Sequence, residues 1–169
     1  MLETQDLVLR SGCEADWEML YRNLWSQVEV FRYMFSRPSE DEESARKKTA
    51  AYAEMHRAVP TEFFVEEKSS GQVIGIAGVK ALQPGKWTIT DIALGLDFQG
   101  RGYGRQIVMA LVKLAFDLGA VEVAYECFRE NDVSRHLAAR CGFCFTHEDK
   151  AELPKNGQDV MMAHYIQRK

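Results

Sequence analysis

The stretch Phe98–Gln106, FQGRGYGRQ, sets Gly100, Gly102 and Gly104 between Arg101, Tyr103 and Arg105, and an apolar run follows it. Glycines let consecutive backbone N–H groups turn toward one point without a Cβ in the way. Where such a loop opens a helix, the unpaired N–H groups and the helix dipole favour an anion. Two guanidinium groups add charged donors. The chemistry on offer is therefore the holding of phosphate or pyrophosphate. Two familiar versions fail on residues. A dinucleotide fold needs G-x-G-x-x-G after a first strand, whereas this G-x-G-x-G lies past mid-chain. A nucleotide P-loop needs Lys followed by Ser or Thr where Arg105-Gln106 stands. The spacing alone fits equally a tight strand-to-helix turn with its arginines in solvent.

Of the cysteines, Cys13, Cys127, Cys141 and Cys144, the last two read C-G-F-C and match the C-x-x-C of zinc and redox sites. A zinc site needs two more ligands nearby, and neither a second pair nor a His-x-x-x-His is present. A redox pair belongs at a strand-to-helix junction, and this one falls between a helix and a strand. These thiols are read as ordinary packed groups. The histidines at 56, 136, 147 and 164 are scattered and share no ligand spacing, so no metal is expected.

The elements that must carry the loop follow from periodicity. QDLVLR (5–10) alternates as a strand. Ser11 with Glu14 resembles a capping box opening a helix through about Trp25, in which Trp17, Leu20, Tyr21 and Leu24 form an apolar stripe. Ser39 with Glu42 makes a second box, for a helix to about Ala58 ahead of Pro60. FFVEE (63–67) and VIGIAGVKAL (73–82) read as a hairpin, and WTITDIALGL (87–96) as a third strand after Pro84-Gly85. The run 107–119 is a helix stopped by Gly119, 121–128 a strand, and Asn131 caps a helix that ends at Gly142. Phe143–His147 and Asp159–Ile166 are two last strands. The order βααβββαβαββ predicts one mixed α/β domain over 1–169.

Composition removes other classes. The 169 residues are 46% hydrophobic and 27% charged, as in ordinary globular chains. A net charge of -4 argues against nucleic acid and suits a cationic substrate. No apolar run approaches the roughly 20 residues of a membrane span. The first residues lack the basic start and apolar core of a signal peptide, so a cytoplasmic location is expected.

Ile92-Ala93-Leu94, the Gln99-x-x-Gly102-x-Gly104 hexapeptide, the apolar helix after it, and Asn131-x-x-Ser134 followed by Cys141-Gly-Phe143 together resemble the GNAT family of N-acetyltransferases. The N-terminal LVLRSGCEADWEML is similar to the opening of its ribosomal-protein-acetylating branch. The resemblance implies a central, mixed, mostly antiparallel sheet of about seven strands, splayed between the strands at 87–96 and 121–128 and flanked by about four helices. It implies acetyl-CoA as acyl donor. Ile92, Ala93 and Leu94 would line its pantetheine arm, and Gln99, Gly100, Arg101, Gly102, Tyr103, Gly104 and Arg105 would surround the pyrophosphate. Asn131 and Ser134 would approach from the later helix. The Leu94 N–H is the implied donor to the thioester oxygen. Glu126 is the first choice of base, although alternation with Glu122 also fits a solvent-facing strand, and Asp91 is the second, acting directly or through water. The tyrosine that many members place seven residues after the asparagine is replaced by Ala138, so Ser134 is the implied hydrogen-bond donor to the leaving sulfur, or merely supports the helix start. The acceptor would be a small-molecule or peptide amine, chosen by segments 25–60 and 150–158. A non-catalytic CoA-binding module is the alternative. The aromatic run VFRYMF fits either a core or a self-association surface, which leaves a homodimer open.

Overall fold

The computed structural model describes residues 1–169. Its eight strands form one sheet in the order β1-β2-β3-β4-β5-β6-β8-β7. They are β1 (Leu2–Glu3), β2 (Leu7–Arg10), β3 (Glu62–Glu67), β4 (Gln72–Gln83), β5 (Lys86–Leu94), β6 (Glu122–Phe128), β7 (Cys144–Glu152) and β8 (Asp159–Arg168). The expected seven strands are present, and the eighth is the two-residue β1, too short to show periodicity. Only β5 and β6 run parallel; the other neighbours are antiparallel.

Four α-helices flank the sheet: α1 (Trp17–Leu20), α2 (Glu42–Ala58), α3 (Tyr103–Asp117) and α4 (Asp132–Arg140). On the α3 face, Ile107, Leu111 and Ala115 meet Leu9, Val65, Ile74, Leu94, Val123, Tyr125 and Cys127 in one buried cluster. On the other face, Leu20, Leu24 and Trp25 meet Phe64, Val73, Ile76 and Ala93. At about 25 cal/mol per Å² of apolar surface, these two clusters supply the main drive to fold.

Both capping boxes lie two residues later than the sequence indicated. Asp16 accepts from the Cys13 N–H at 2.9 Å and is gripped by Arg10 at 2.8 and 2.9 Å, so the turn starts at Cys13, not Ser11. Ser39 is drawn to the preceding loop by its N–H bond to the Trp25 carbonyl (2.7 Å), and Asp41 caps α2 by accepting from the Ser44 N–H at 2.8 Å. α1 gives way to a wider π-helical turn over Tyr21–Trp25. In that turn Asn23 Nδ2 donates to the Val73 carbonyl at 2.9 Å. The Asn23 carbonyl then lies where a Cβ on Gly95 would stand, at 1.8 Å. Only glycine permits this approach, which clamps the end of β5. The α3 helix starts at Tyr103, inside the glycine loop, earlier than the apolar run announced.

Candidate active site

The β5–β6 pairing covers only Lys86–Thr88 against Glu122–Ala124. Beyond it the strands part, and the cause lies on the far side of β5. Between the β4–β5 pairs Ala77↔Ile92 and Val79↔Ile89, Gly78 alone faces both Thr90 and Asp91. This is a β-bulge, which bends its strand and re-aims its side chains. A Cβ on Gly78 would stand 1.7 Å from Glu62 Oε2 and 2.4 Å from Thr90 Oγ1. The glycine therefore makes room for Glu62, whose Oε1 accepts from Thr90 Oγ1 at 2.8 Å.

The opened gap is lined by Ile89–Ile92 of β5, Tyr125–Phe128 of β6, Asn131 and Ser134, with Tyr33, Met34 and Phe35 at its mouth. Gly95 N–H donates to the Ile74 carbonyl at 2.9 Å. Leu94 and Gly75 are thus a non-hydrogen-bonded pair, and so, two residues back, are Ile92 and Ala77. The main-chain N–H and C=O of Ile92 and Leu94 point away from β4, into the gap. Gln99 Nε2 donates to the Leu94 carbonyl at 2.9 Å, which leaves the Leu94 N–H directed at the opening.

The two faces of the gap differ. Tyr125 and Cys127 turn to the α3 side, where Tyr125 Oη and Ser134 Oγ share a hydrogen bond of 2.8 Å. Ser134 N–H donates to Asn131 Oδ1 at 3.1 Å, so Asn131 caps α4 as expected. Ala138 is buried in the core and offers no hydroxyl. Tyr125 carries one; as the neighbour of Glu126 on β6 it faces the opposite side of the sheet, and its meeting with Ser134 bridges β6 and α4. Burial pushes the Tyr125 phenol up to about 12, so it is a hydrogen-bond donor at neutral pH. Asp91 turns to the α2 side, toward Lys48 and Tyr52. Burial raises its carboxyl above the ordinary range against the pull of Lys80 and Lys48. Glu126 lines the same gap from β6, with 47% of its side chain exposed and Oε1 3.5 Å from His164 Nδ1.

The glycine loop is held from behind. Gly100 and Gly102 have φ of +74° and +81°, with open space where a Cβ would project. Gly102 N-caps α3 with no side chain serving its first N–H groups, so these donors are free for an anion. Tyr103 and Arg101 turn back, not outward. Tyr103 Oη donates to Glu67 Oε1 at 2.7 Å, and Arg101 lies 3.3 Å from the same oxygen. Gln106 bonds Thr4 and the Asp6 backbone and side chain. Arg105 is exposed. The cradle is therefore made of backbone, with Glu67 as its anchor, a residue the sequence reading did not single out.

The segments 25–60 and 150–158, expected to choose the acceptor, meet at one end of the gap. Lys155 Nζ donates to the Phe31 and Met34 carbonyls at 2.8 and 2.7 Å. Tyr33 packs with Phe128, Leu153 and Met162. The aromatic run thus serves mainly as inner wall. The acidic residues Glu40–Glu43 and Glu54 are exposed on or beside α2.

Glu62 is 7% exposed, and burial pushes its carboxyl up to about 7. Its folded pKa lies above the ordinary 4.5, so between those values the folded chain keeps a proton that the unfolded chain releases. Stability should fall as pH rises from about 4.5 to about 7 and level off above. Glu62→Gln removes this loss, and urea unfolding at pH 8 should find the variant more stable by on the order of 2 kcal/mol. Equal pH profiles for variant and parent would remove the buried-carboxyl account.

The family described as Acetyltransferase (GNAT) domain matches residues 6–144. The chain belongs to the GNAT acetyltransferases. Solved structures agree in fold. An acetyltransferase of the GNAT family from Bacillus anthracis superposes with a TM-score of 0.84 at 17% identity, over 99% of this chain and 97% of that one. RimL, a ribosomal-protein α-N-acetyltransferase solved with coenzyme A, gives 0.76 at 20% identity, over 98% and 95%. Spermidine N-acetyltransferase from Vibrio cholerae, solved with CoA and spermine, gives 0.76 at 20%, over 98% and 96%. No curated protein matches the sequence. No helix is long and apolar enough to cross a membrane.

Proposed function

We propose that residues 1–169 form one N-acetyltransferase domain that moves an acetyl group from acetyl-CoA to a primary amine. The observation that carries this reading is the gap itself. It presents the main chain of Ile92 and Leu94 between an uncapped helix start on one side and a raised carboxyl on the other.

Acetyl-CoA supplies a thioester whose acyl carbon an amine can attack. Ile92 and Leu94 receive its amide-bearing arm as a sheet edge receives a strand, with Ala93 fixing the strand between them. The N–H groups of Gly100–Arg105 hold the pyrophosphate, while Gln99 sets the strand end and Asn131 sets α4. The Leu94 N–H faces the oxygen on which charge develops. Asp91 takes the proton of the amine, directly or through one water. A primary amine has a pKa near about 10.4 and must lose a proton to attack, and a carboxylate raised by burial is the better base. Glu126, exposed and beside His164, is the second candidate. Ser134, backed by the Tyr125 hydroxyl, donates to the departing sulfur. The new C–N bond replaces the C–S bond; the sulfur leaves as thiolate and takes a proton from solvent, to which Asp91 returns the one it held.

The acceptor is a small-molecule or peptide amine: a protein N-terminus, a polyamine, an amino acid or an amine antibiotic. RimL and the spermidine enzyme, by their names, stand for two of these. A thiol-release assay of acetyl-CoA against an amine panel tests the reading. Free thiol should appear only with a suitable amine. Acetyl-CoA binding without thiol release across the panel would instead favour a regulatory module.

A further inference from the structure

A second cluster of chemistry lies across β6, β8 and β7. The register places Glu126 opposite His164, and His164 opposite His147, in one row. The second pairing depends on a bulge. Phe145 faces Tyr165, and regular alternation would next put Thr146 opposite His164. The extra residue on β7 brings His147 there instead. The two imidazoles stack with centroids 4.4 Å apart and planes within 3°. Asp149, two residues along β7, reaches His164 Nε2 with Oδ1 at 2.8 Å. A ring nitrogen of each histidine and an Asp149 oxygen all lie within 4.8 Å of one another.

Hydrogen bonds set both rings. Thr146 Oγ1 donates its single proton to the His164 carbonyl at 3.1 Å, so in its 3.0 Å contact with His147 the hydroxyl oxygen accepts a hydrogen bond from Nδ1–H. His147 is then the Nδ1–H tautomer, and its Nε2 carries a free lone pair. His164 has the complementary arrangement, with Nε2 toward Asp149 and Nδ1 3.5 Å from Glu126 Oε1. A ring nitrogen aimed at the ligand position, with the opposite nitrogen facing a hydroxyl or carboxylate, is the pattern of metal-binding histidines.

We propose that His147, His164 and Asp149 bind one first-row transition ion of the zinc type. Two imidazoles and a carboxylate suit Zn²⁺ and its neighbours and do not suit Mg²⁺ or Ca²⁺, which take oxygen donors. The carboxylates of Asp149 and Glu126 together balance a divalent charge. Metal–nitrogen bonds of about 2.05 Å at a tetrahedral angle set the nitrogens roughly 3.3 Å apart; because the two rings lie in parallel planes, the exposed His147 ring turns out of the stack so that both lone pairs meet on one ion, while the half-buried His164 stays in place. On binding, the ion replaces the proton between His164 Nε2 and Asp149, and the neutral ring carries its proton on Nδ1, facing Glu126. Three protein ligands leave the fourth position to water or another ligand. The site is separate from the glycine cradle and touches the proposed acetyl-transfer cleft only through Glu126.

The test uses the full chain with the exposed Cys13 and Cys144 changed to serine, so that surface thiols do not compete. Equilibrium dialysis against Zn²⁺ at fixed neutral pH should retain one ion per chain. His147→Ala and His164→Ala should each abolish retention, and Glu126→Ala should weaken it about 10- to 100-fold. In the chain with all histidines intact, Zn²⁺ should shift the ring resonances of His147 and His164 and leave those of His56 and His136 in place. That measurement does not depend on any histidine variant folding. No ion retained by the parent, undiminished retention by the double histidine variant, or zinc shifts at other rings would each overturn the site.

Discussion

Gly102→Glu should abolish acetyl-CoA binding and leave the fold standing. The site has open space around it, so no neighbour blocks the new side chain. The backbone objects mildly: a φ of +81° costs an L-residue roughly 1–2 kcal/mol. The carboxylate, however, lands at the start of α3, where the free N–H groups welcome a negative charge. It competes for the donors proposed to hold the pyrophosphate and repels that group as well. Affinity should fall by at least a hundredfold, about 2.7 kcal/mol, in titration calorimetry. Gly102→Ala carries the backbone cost without the charge and should lose about tenfold or less. If the glutamate variant binds like the parent while melting near the parent's temperature, the cradle is not the phosphate site.

Asp91→Asn should lower kcat by about a hundredfold or more, with KM for acetyl-CoA nearly unchanged. The variant keeps the size of the side chain and the bulge that aims it, and removes only its capacity to take a proton. The sign of the pH dependence follows from the same burial. A base acts when deprotonated, so the rate climbs as pH rises through its pKa. Asp91's lies above the usual 3.8, so this limb should sit higher than for an exposed carboxylate. The asparagine variant should lose the limb along with the rate. Glu126→Gln should have the smaller effect. The reverse ranking would assign the base to Glu126.

The glycine loop, the β3–β4 hairpin and the Asn131 cap were legible because each is encoded locally, in a few adjacent residues. The capping boxes were misplaced by two residues because an aspartate takes each cap. The Ser39 backbone is tied to the Trp25 carbonyl and its buried Oγ bonds nothing, while Asp41 accepts from the Ser44 N–H; Asp16, held by Arg10, does the same for the Cys13 N–H in place of Ser11. The bulges were invisible to alternation because each inserts one residue and flips the parity after it. Gly78 was the available hint, since a glycine inside a strand often marks a bulge or a close approach. The Tyr125–Ser134 pair, the Glu67 anchor and the His147–His164 stack escaped for another reason. Their members come from different elements: strand register brings the two histidines together, and the packing of α4 and α3 on the sheet brings Ser134 to Tyr125 and Tyr103 to Glu67. The histidines read as scattered are neighbours for that reason.

The bulge opposite Gly78 has a consequence for how such a chain can change. Deleting either Thr90 or Asp91 would match β5 to β4 one residue to one. The straightened strand could then run on beside β6, closing the slot with the hydrogen bonds its edges now leave open. The difference between an uninterrupted sheet and one with a working aperture is thus a single codon. That codon also carries or adjoins the proposed base, so an in-frame deletion there would take the aperture and its chemistry in one event.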